Sequence, residues 1–118
     1  MSKLAGEIAE ALFDFCAMSM GIIVSKPHGD SASYDRVVDW GSGLKRVQIK
    51  STSYKADYGY VANTRSRSYM YKDSIDVMAI YVKPEDKWYL IPASDITGGT
   101  IRITERKDKY LNNWGIFK

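Results

Sequence analysis

Side chains on one face of a β-strand recur at every second residue. In Leu44–Thr52 (LKRVQIKST), Gln48 and Lys50 therefore share one face, and Val47 and Ile49 share the other. The apolar pair must face a core, which leaves the polar pair for chemistry. Residues 34–40 (YDRVVDW) read as a preceding strand, and Gly41-Ser42-Gly43 as the hairpin turn between the two. If Ser42-Gly43 is a two-residue loop, Gly41 pairs with Leu44 and Asp35 lies directly opposite Lys50, on the same side of the sheet. A loop one residue longer, without a bulge, turns Asp35 to the wrong face. A carboxylate beside a side-chain carbonyl is a hard oxygen environment suited to Mg²⁺ or Mn²⁺. A neighbouring lysine orients water and offsets charge that develops on a phosphate. A second carboxylate from elsewhere would complete a metal cup, and metal-assisted phosphodiester hydrolysis is the chemistry of that set.

The elements that must position these groups are legible at coarse grain. Residues 3–20 read as a helix, with no proline inside and Gly21 at the stop position. Leu4, Ile8, Ala11, Leu12 and Phe15 fall on one side of it, while Gly6, Ala9, Phe13 and Ala17 occupy much of the rest. Lys3, Glu7, Glu10 and Asp14 form a single polar strip. A helix apolar nearly all round is expected to be well buried, with that strip left over, so Glu10 is the candidate second carboxylate and Glu7 a supporting one. Residues 21–26 (GIIVSK) read as a short strand. Residues 74–82 and 87–92 read as a hairpin around Pro84-Glu85-Asp86, and residues 101–104 as a further strand. One helix followed by mostly antiparallel strands predicts an α+β or mixed α/β sandwich.

At 118 residues the chain is expected to be one domain spanning 1–118. Its apolar stretches are far short of a membrane span, and the N-terminus shows no charged segment followed by a long apolar run. Cys16 stands alone, so no internal disulfide forms and an intracellular, cytoplasmic setting is expected. The net charge of +3 is modest, but its distribution is uneven: −2 over residues 1–20 against +3 over residues 53–72. An acidic spot beside a basic segment suits a metal-using enzyme that acts on a polyanion. In the basic stretch, Lys55, Arg65, Arg67 and Lys72 alternate with five tyrosines, a pattern fitted to phosphates and base faces. Lys45 and Arg46 near the hairpin tip are further candidates for phosphate contact. Asp30 precedes the strand in a loop, where it is expected to cap the loop and has reach to the site as an alternative; Asp39 is expected to be structural, His28 to lie on the surface, Cys16 to be a small core residue, and Trp40, Trp88 and Trp114 to serve packing or a subunit interface.

The order Gly6-x-x-x-Glu10, Asp35, Gln48-Ile49-Lys50 resembles the PD-(D/E)XK nuclease superfamily. Residues 72–91 (KDSIDVMAIYVKPEDKWYLI), followed by Pro92-Ala93-Ser94, are similar to the second half of its small homing-endonuclease-type members. That resemblance implies an α/β (α+β), restriction-endonuclease-like core with a central mixed β-sheet flanked by helices. It implies that Asp35 is the main metal ligand, with Glu10 and Gln48 contributing to the metal and Lys50 meeting the phosphate or attacking water. Gln48 departs from the usual acidic residue, removes one negative charge from the cup and counts against two-metal occupancy. The function implied is a Mg²⁺- or Mn²⁺-dependent DNA endonuclease of homing or restriction type. A structure-selective Holliday junction resolvase with the same site is the near alternative, and a non-catalytic DNA-binding module of the same fold is the alternative of another class. The substrate is double-stranded or branched DNA. A chain this small has little room to surround a duplex, so two-strand cutting calls for a homodimer or higher homo-oligomer.

Overall fold

The computed structural model describes residues 2–65 and 70–118. Its architecture runs α1 (Ser2–Ser19), β1 (Ile23–Ser25), β2 (Arg36–Asp39), β3 (Leu44–Thr52), β4 (Lys55–Ala56), β5 (Gly59–Asn63), β6 (Val77–Val82), β7 (Lys87–Pro92) and β8 (Thr100–Ile103). Short 3-10 turns follow, at Glu105–Tyr110 and Trp114–Phe117. Five strands form a mixed sheet in the order β1-β2-β3-β6-β7, in which only the β3–β6 pairing is parallel. Parallel neighbours need a crossover connection, and here the crossover carries its own hairpin, β4–β5. That hairpin joins β8 in a second, three-stranded antiparallel sheet. The tyrosine-rich stretch 53–72 thus resolves into strands and a 3-10 turn at Tyr71–Asp73. Residues 66–69, including the candidate Arg67, lie outside the described residues.

The central sheet separates two apolar cores. Val38, Val47, Ile49, Val77, Ala79, Tyr81, Trp88 and Leu90 face α1, together with Trp114 and Phe117. Met78, Ile80, Val82, Tyr89 and Ile91 face the second sheet, against Ala62, Ile101 and Ile103. Strand β6 is buried along its whole length because it serves both cores, which explains the unbroken apolar run VMAIYV. The layer opposite α1 is therefore built of strand rather than helix. At β5, Gly59 allows the close approach: a Cβ there would sit 2.0 Å from the Ile103 carbonyl oxygen.

Helix α1 ends as the sequence predicts. Gly21 at φ +87° closes a Schellman motif, in which Ile22 N–H donates to the Ala17 carbonyl (3.1 Å) and Gly21 N–H to that of Met18 (3.0 Å). Its burial differs from expectation. Ala9, Phe13 and Ala17, spaced at i, i+4 and i+8, are fully covered on the sheet, with Leu12 and Cys16 packed beside them and partly buried. The side carrying Leu4, Ile8 and Phe15 is exposed. An all-round apolar helix gives no periodic signal to say which face is covered, and here it is the face of Phe13, with an alanine one turn to either side. Phe13 anchors it, with its ring 5.8 Å from Trp88, 5.5 Å from Trp114 and 6.2 Å from Phe117. Trp88 and Trp114 are thus core residues, and Trp40 packs against the same cluster. Among the described residues, no helix is long and apolar enough to cross a membrane.

Phe13→Ala is expected to lower unfolding free energy by about 3–5 kcal/mol, whereas Tyr58→Ala, at an exposed position, should stay within about 0.5 kcal/mol. Urea melts of the two variants check the contrast.

Candidate active site

The β2–β3 hairpin sets the register on which the site depends. Asp39 pairs with Leu44 and Arg36 with Val47, so the loop is residues 40–43 rather than Ser42-Gly43 alone. Asp39 closes it by accepting the Gly41 N–H at 2.9 Å. The pairing is thereby two residues away from the one expected, and continuing it brings Asp35 level with Gln48 instead of Lys50. Because the offset is even, Asp35 keeps the face of Gln48 and Lys50. The ladder ends at Asp35. Its N–H donates to the Val47 carbonyl (2.8 Å), and its Oδ2 accepts the Ile49 N–H (2.8 Å). The carboxylate thus stands in for a strand carbonyl and is fixed over β3.

On the other face of β2, Arg36 points at α1 and is nearly fully buried. Its Nε and Nη2 donate to the two carboxylate oxygens of Asp14 (2.8 and 3.0 Å), and its Nη1 donates to Glu10 Oε1 (2.9 Å) and to the Asp35 carbonyl (2.8 Å). Sequence reasoning missed Arg36 and Asp14. A signal was present: Arg36 alternates with Val38 onto a core face, where a charge needs partners, and Glu10 and Asp14 stand one helical turn apart. Arg36 has the strongest donor geometry of the site, and it holds Glu10 beside Asp35.

Glu10, Asp35 and Arg36 form one wall of a cleft of about 260 Å³, and Lys26, Pro27, Gly29, Asp30 and Tyr34 contribute to the remainder. Burial raises the Asp35 carboxyl above its ordinary range, and the nearby Glu10 raises it further. The Ile49 N–H, Arg36 and Lys50 pull the other way without reversing the shift. Lys50 therefore lies within electrostatic reach of Asp35, although it lines an adjoining groove with Ala5, Gly6, Ile49 and Lys83. Its ammonium donates to the Tyr71 hydroxyl at 3.2 Å and sits 4.5 Å from the centre of that ring. Gln48 is buried and lines neither the cleft nor the groove. Glu7 is exposed and belongs to neither the cleft nor the Arg36 network.

Among the described residues, no three carboxylate, imidazole or thiol side chains converge on one point. The donors that do fit a hard cation are oxygens. Among the described hydrogen bonds, Asp35 Oδ1 and Glu10 Oε2 accept none, and the Gln48 amide oxygen is a neutral third donor. Two carboxylates and an amide suit Mg²⁺ or Mn²⁺.

The basic candidates are spread over both sheets. Arg46 shares the Gln48–Lys50 face and is half-exposed, paired with Asp76 (3.2 Å), whose carboxylate also accepts the Arg46 N–H at 2.7 Å. Lys45 reaches Ser42 (3.3 Å) on the hairpin loop. Lys55 stands over the Tyr60 ring in the second sheet. Arg65 is exposed beyond β5, its side chain against Gly99, and Lys72 lies in the turn that carries Tyr71.

A mixed sheet with a carboxylate at a strand end, a Gln-x-Lys on the next strand and a helix-borne glutamate defines the PD-(D/E)XK class of nuclease. The sequence matches the PD-(D/E)XK endonuclease family over residues 1–114, and the chain belongs to that family. Among solved structures, it is similar to a bacterial homing endonuclease, I-Ssp6803I, with a TM-score of 0.83 and 29% sequence identity over 98% of this chain and 91% of that one. No curated protein matches the chain.

Two outcomes follow from this geometry. Arg36→Met leaves Glu10 and Asp14 unpaired, with each carboxylate only about one-third exposed, and should cost about 2–4 kcal/mol in a chemical melt. A carboxyl whose folded pKa lies above its ordinary 3.8 holds its proton more tightly in the folded state, so stability falls as pH rises from that value through the raised one. Asp35→Asn removes that penalty and keeps an oxygen for the Ile49 N–H. With EDTA present, thermal melts should show the variant above wild type at neutral pH, the gap closing as pH falls into the ordinary carboxylate range. A variant that melts below wild type at neutral pH contradicts the shift.

Proposed function

We propose that this protein is a divalent-metal-dependent DNA endonuclease that hydrolyses phosphodiester bonds at specific duplex sites. The observation that carries the reading is the meeting of Asp35 and Glu10 at one cleft, with Lys50 close enough to act on the Asp35 charge. Nucleases of the family generally use divalent metal ions, and the printed description of the similar structure is a homing endonuclease, which supports site-specific cutting. A divalent cation supplies Lewis acidity to the phosphate and makes water a usable nucleophile at neutral pH. Asp35 and Glu10 would hold that cation through their carboxylates, and Gln48 would offer its amide oxygen. The Lys50 ammonium, held by Tyr71, offsets the charge that grows on the phosphate oxygens in the transition state. With Gln48 replacing an acidic residue, the cup carries one less negative charge, which favours a single cation of moderate affinity. Lys45, Arg46, Lys55, Arg65 and Lys72 contact phosphates, and a homodimer or higher homo-oligomer delivers two sites to the two strands.

The test is cleavage of a linear duplex library and of a four-way junction, with Mg²⁺, Mn²⁺ or EDTA. Cutting is expected with metal only, on duplex more than junction, and to fall by about 10²–10³-fold in Lys50→Ala and at least as far in Asp35→Ala. Preferential junction cutting would assign the resolvase reading instead. Salt-dependent DNA binding without cutting would assign a non-catalytic module.

A further inference from the structure

The parallel pairing of β3 with β6 ends at Thr52 and Val82, so Ser53 and Lys83 leave adjacent strands side by side. Ligands of open α/β sheets gather outside the carboxyl ends of parallel strands, and here those ends open on the groove that holds Lys50. The groove has a volume of about 520 Å³ and is lined by Lys50, Ser51, Ser53 and Lys83, with Ala5 and Gly6 contributed by α1. Its charge is one-sided. Two ammonium groups and two serine hydroxyls line it, and no carboxylate does. The neighbouring cleft instead sets Glu10, Asp30 and Asp35 against Lys26 and an Arg36 already engaged by Glu10 and Asp14.

Lys83 is exposed, and among the described residues its ammonium has no hydrogen bond or ion pair. Its backbone is nonetheless fixed. Pro84 follows it, and Asp86 closes the 3-10 turn by donating its N–H to the Lys83 carbonyl at 3.2 Å. Thr52 donates its hydroxyl to the Val61 carbonyl at 2.6 Å, which ties the end of β3 to β5 and leaves the serines on either side of it at the groove. Gly6 keeps the groove open, since a Cβ added there would meet nothing within 4 Å.

We propose that this groove holds a backbone phosphate of the DNA strand, beside the phosphate presented to Asp35 and Glu10, with Lys83 as its anchoring cation and Ser51 and Ser53 as hydrogen-bond donors. Cleft and groove adjoin: Gly6 and Glu10 stand one turn apart on α1, about 5.4 Å along its axis. Ile49, which also lines the groove, gives its N–H to Asp35. That step lies between one and two nucleotides of duplex rise, at about 3.4 Å per nucleotide. A cleft with three carboxylates repels a polyanion, and a cationic groove one phosphate away supplies the attraction that the cleft lacks. Lys83 is thus a positioning residue: it fixes the strand along the cleft and takes no part in bond breaking. The inference rests on the nuclease reading for the identity of the strand, and its test is read without cleavage.

The test is the affinity of the full chain for a short duplex of mixed sequence, in EDTA, by fluorescence anisotropy over a range of salt. Lys83→Gln is expected to lower the slope of log affinity against log salt by about one and to weaken binding about equally on unrelated sequences. Lys83→Arg should restore the slope. Gly6→Leu changes no charge but fills the groove, and should weaken binding with no loss of melting temperature. Lys118→Gln, over the Trp40 ring at the far end of β3, should leave the slope as in wild type. An unchanged slope in Lys83→Gln, or full binding by Gly6→Leu, overturns the inference, and metal-dependent cutting by the same variants then leaves the nuclease reading standing without it. The expected slopes in a protein that cuts no substrate support the groove and remove the nuclease reading. A wild type that binds no duplex overturns both.

Discussion

A guanidinium taken almost wholly out of water is tolerable only if it is fully paired, and in this protein Arg36 imposes that condition on everything around it. Its partners, Glu10 and Asp14, stand on α1, and its fourth contact is the Asp35 carbonyl. Satisfying all of them fixes how the helix is rotated on the sheet. That rotation sends Ala9, Phe13 and Ala17 into the core, brings Glu10 to the strand end where Asp35 stands, and leaves Leu4, Ile8, Phe15 and Met18 facing outward. A buried cation thus links the packing of the fold to the placement of the two candidate site carboxylates.

The site also shows why such a centre works against the stability of its own scaffold. Asp35 is held where burial and Glu10 both disfavour its charge, and it is retained there by one backbone N–H from β3. A cation held there, as the proposed function requires, would neutralise both carboxylates and so couple metal binding to folding. Gln48, in place of an acidic residue, adds no further charge to that repulsion and in the proposed function would lower the affinity for a metal.

The strand that carries Gln48 and Lys50 was legible in the sequence. Two-residue alternation in LKRVQIKST gave the bounds of β3 and the shared face of Gln48 and Lys50, hairpin pairing put Asp35 on that face, and the polar strip of α1 offered Glu10. The β6–β7 hairpin and the Gly21 stop were legible because turn chemistry is local. The less local features were harder. The β2–β3 loop length decides register but is not encoded in glycine content alone, and the site face survives only because the offset is even. The covered face of α1 could not be read from an apolar pattern without a gap. The second sheet depends on pairing between β5 and β8, far apart in sequence. Arg36 was visible only as a charge on an apolar strand face, and its partners came into view once helix and strand were placed together.

In the proposed function Glu10 and Asp35 act as one cation site, and Mn²⁺ binding followed by electron paramagnetic resonance tests this without reference to DNA. Wild type should bind one Mn²⁺ per chain at the cleft. Asp35→Asn and Glu10→Gln should each weaken it, and the double variant should lose less than the sum of the two, as groups sharing one ligand do. Binding unchanged in both single variants would contradict the account and move the metal, and with it the chemistry, elsewhere on the chain.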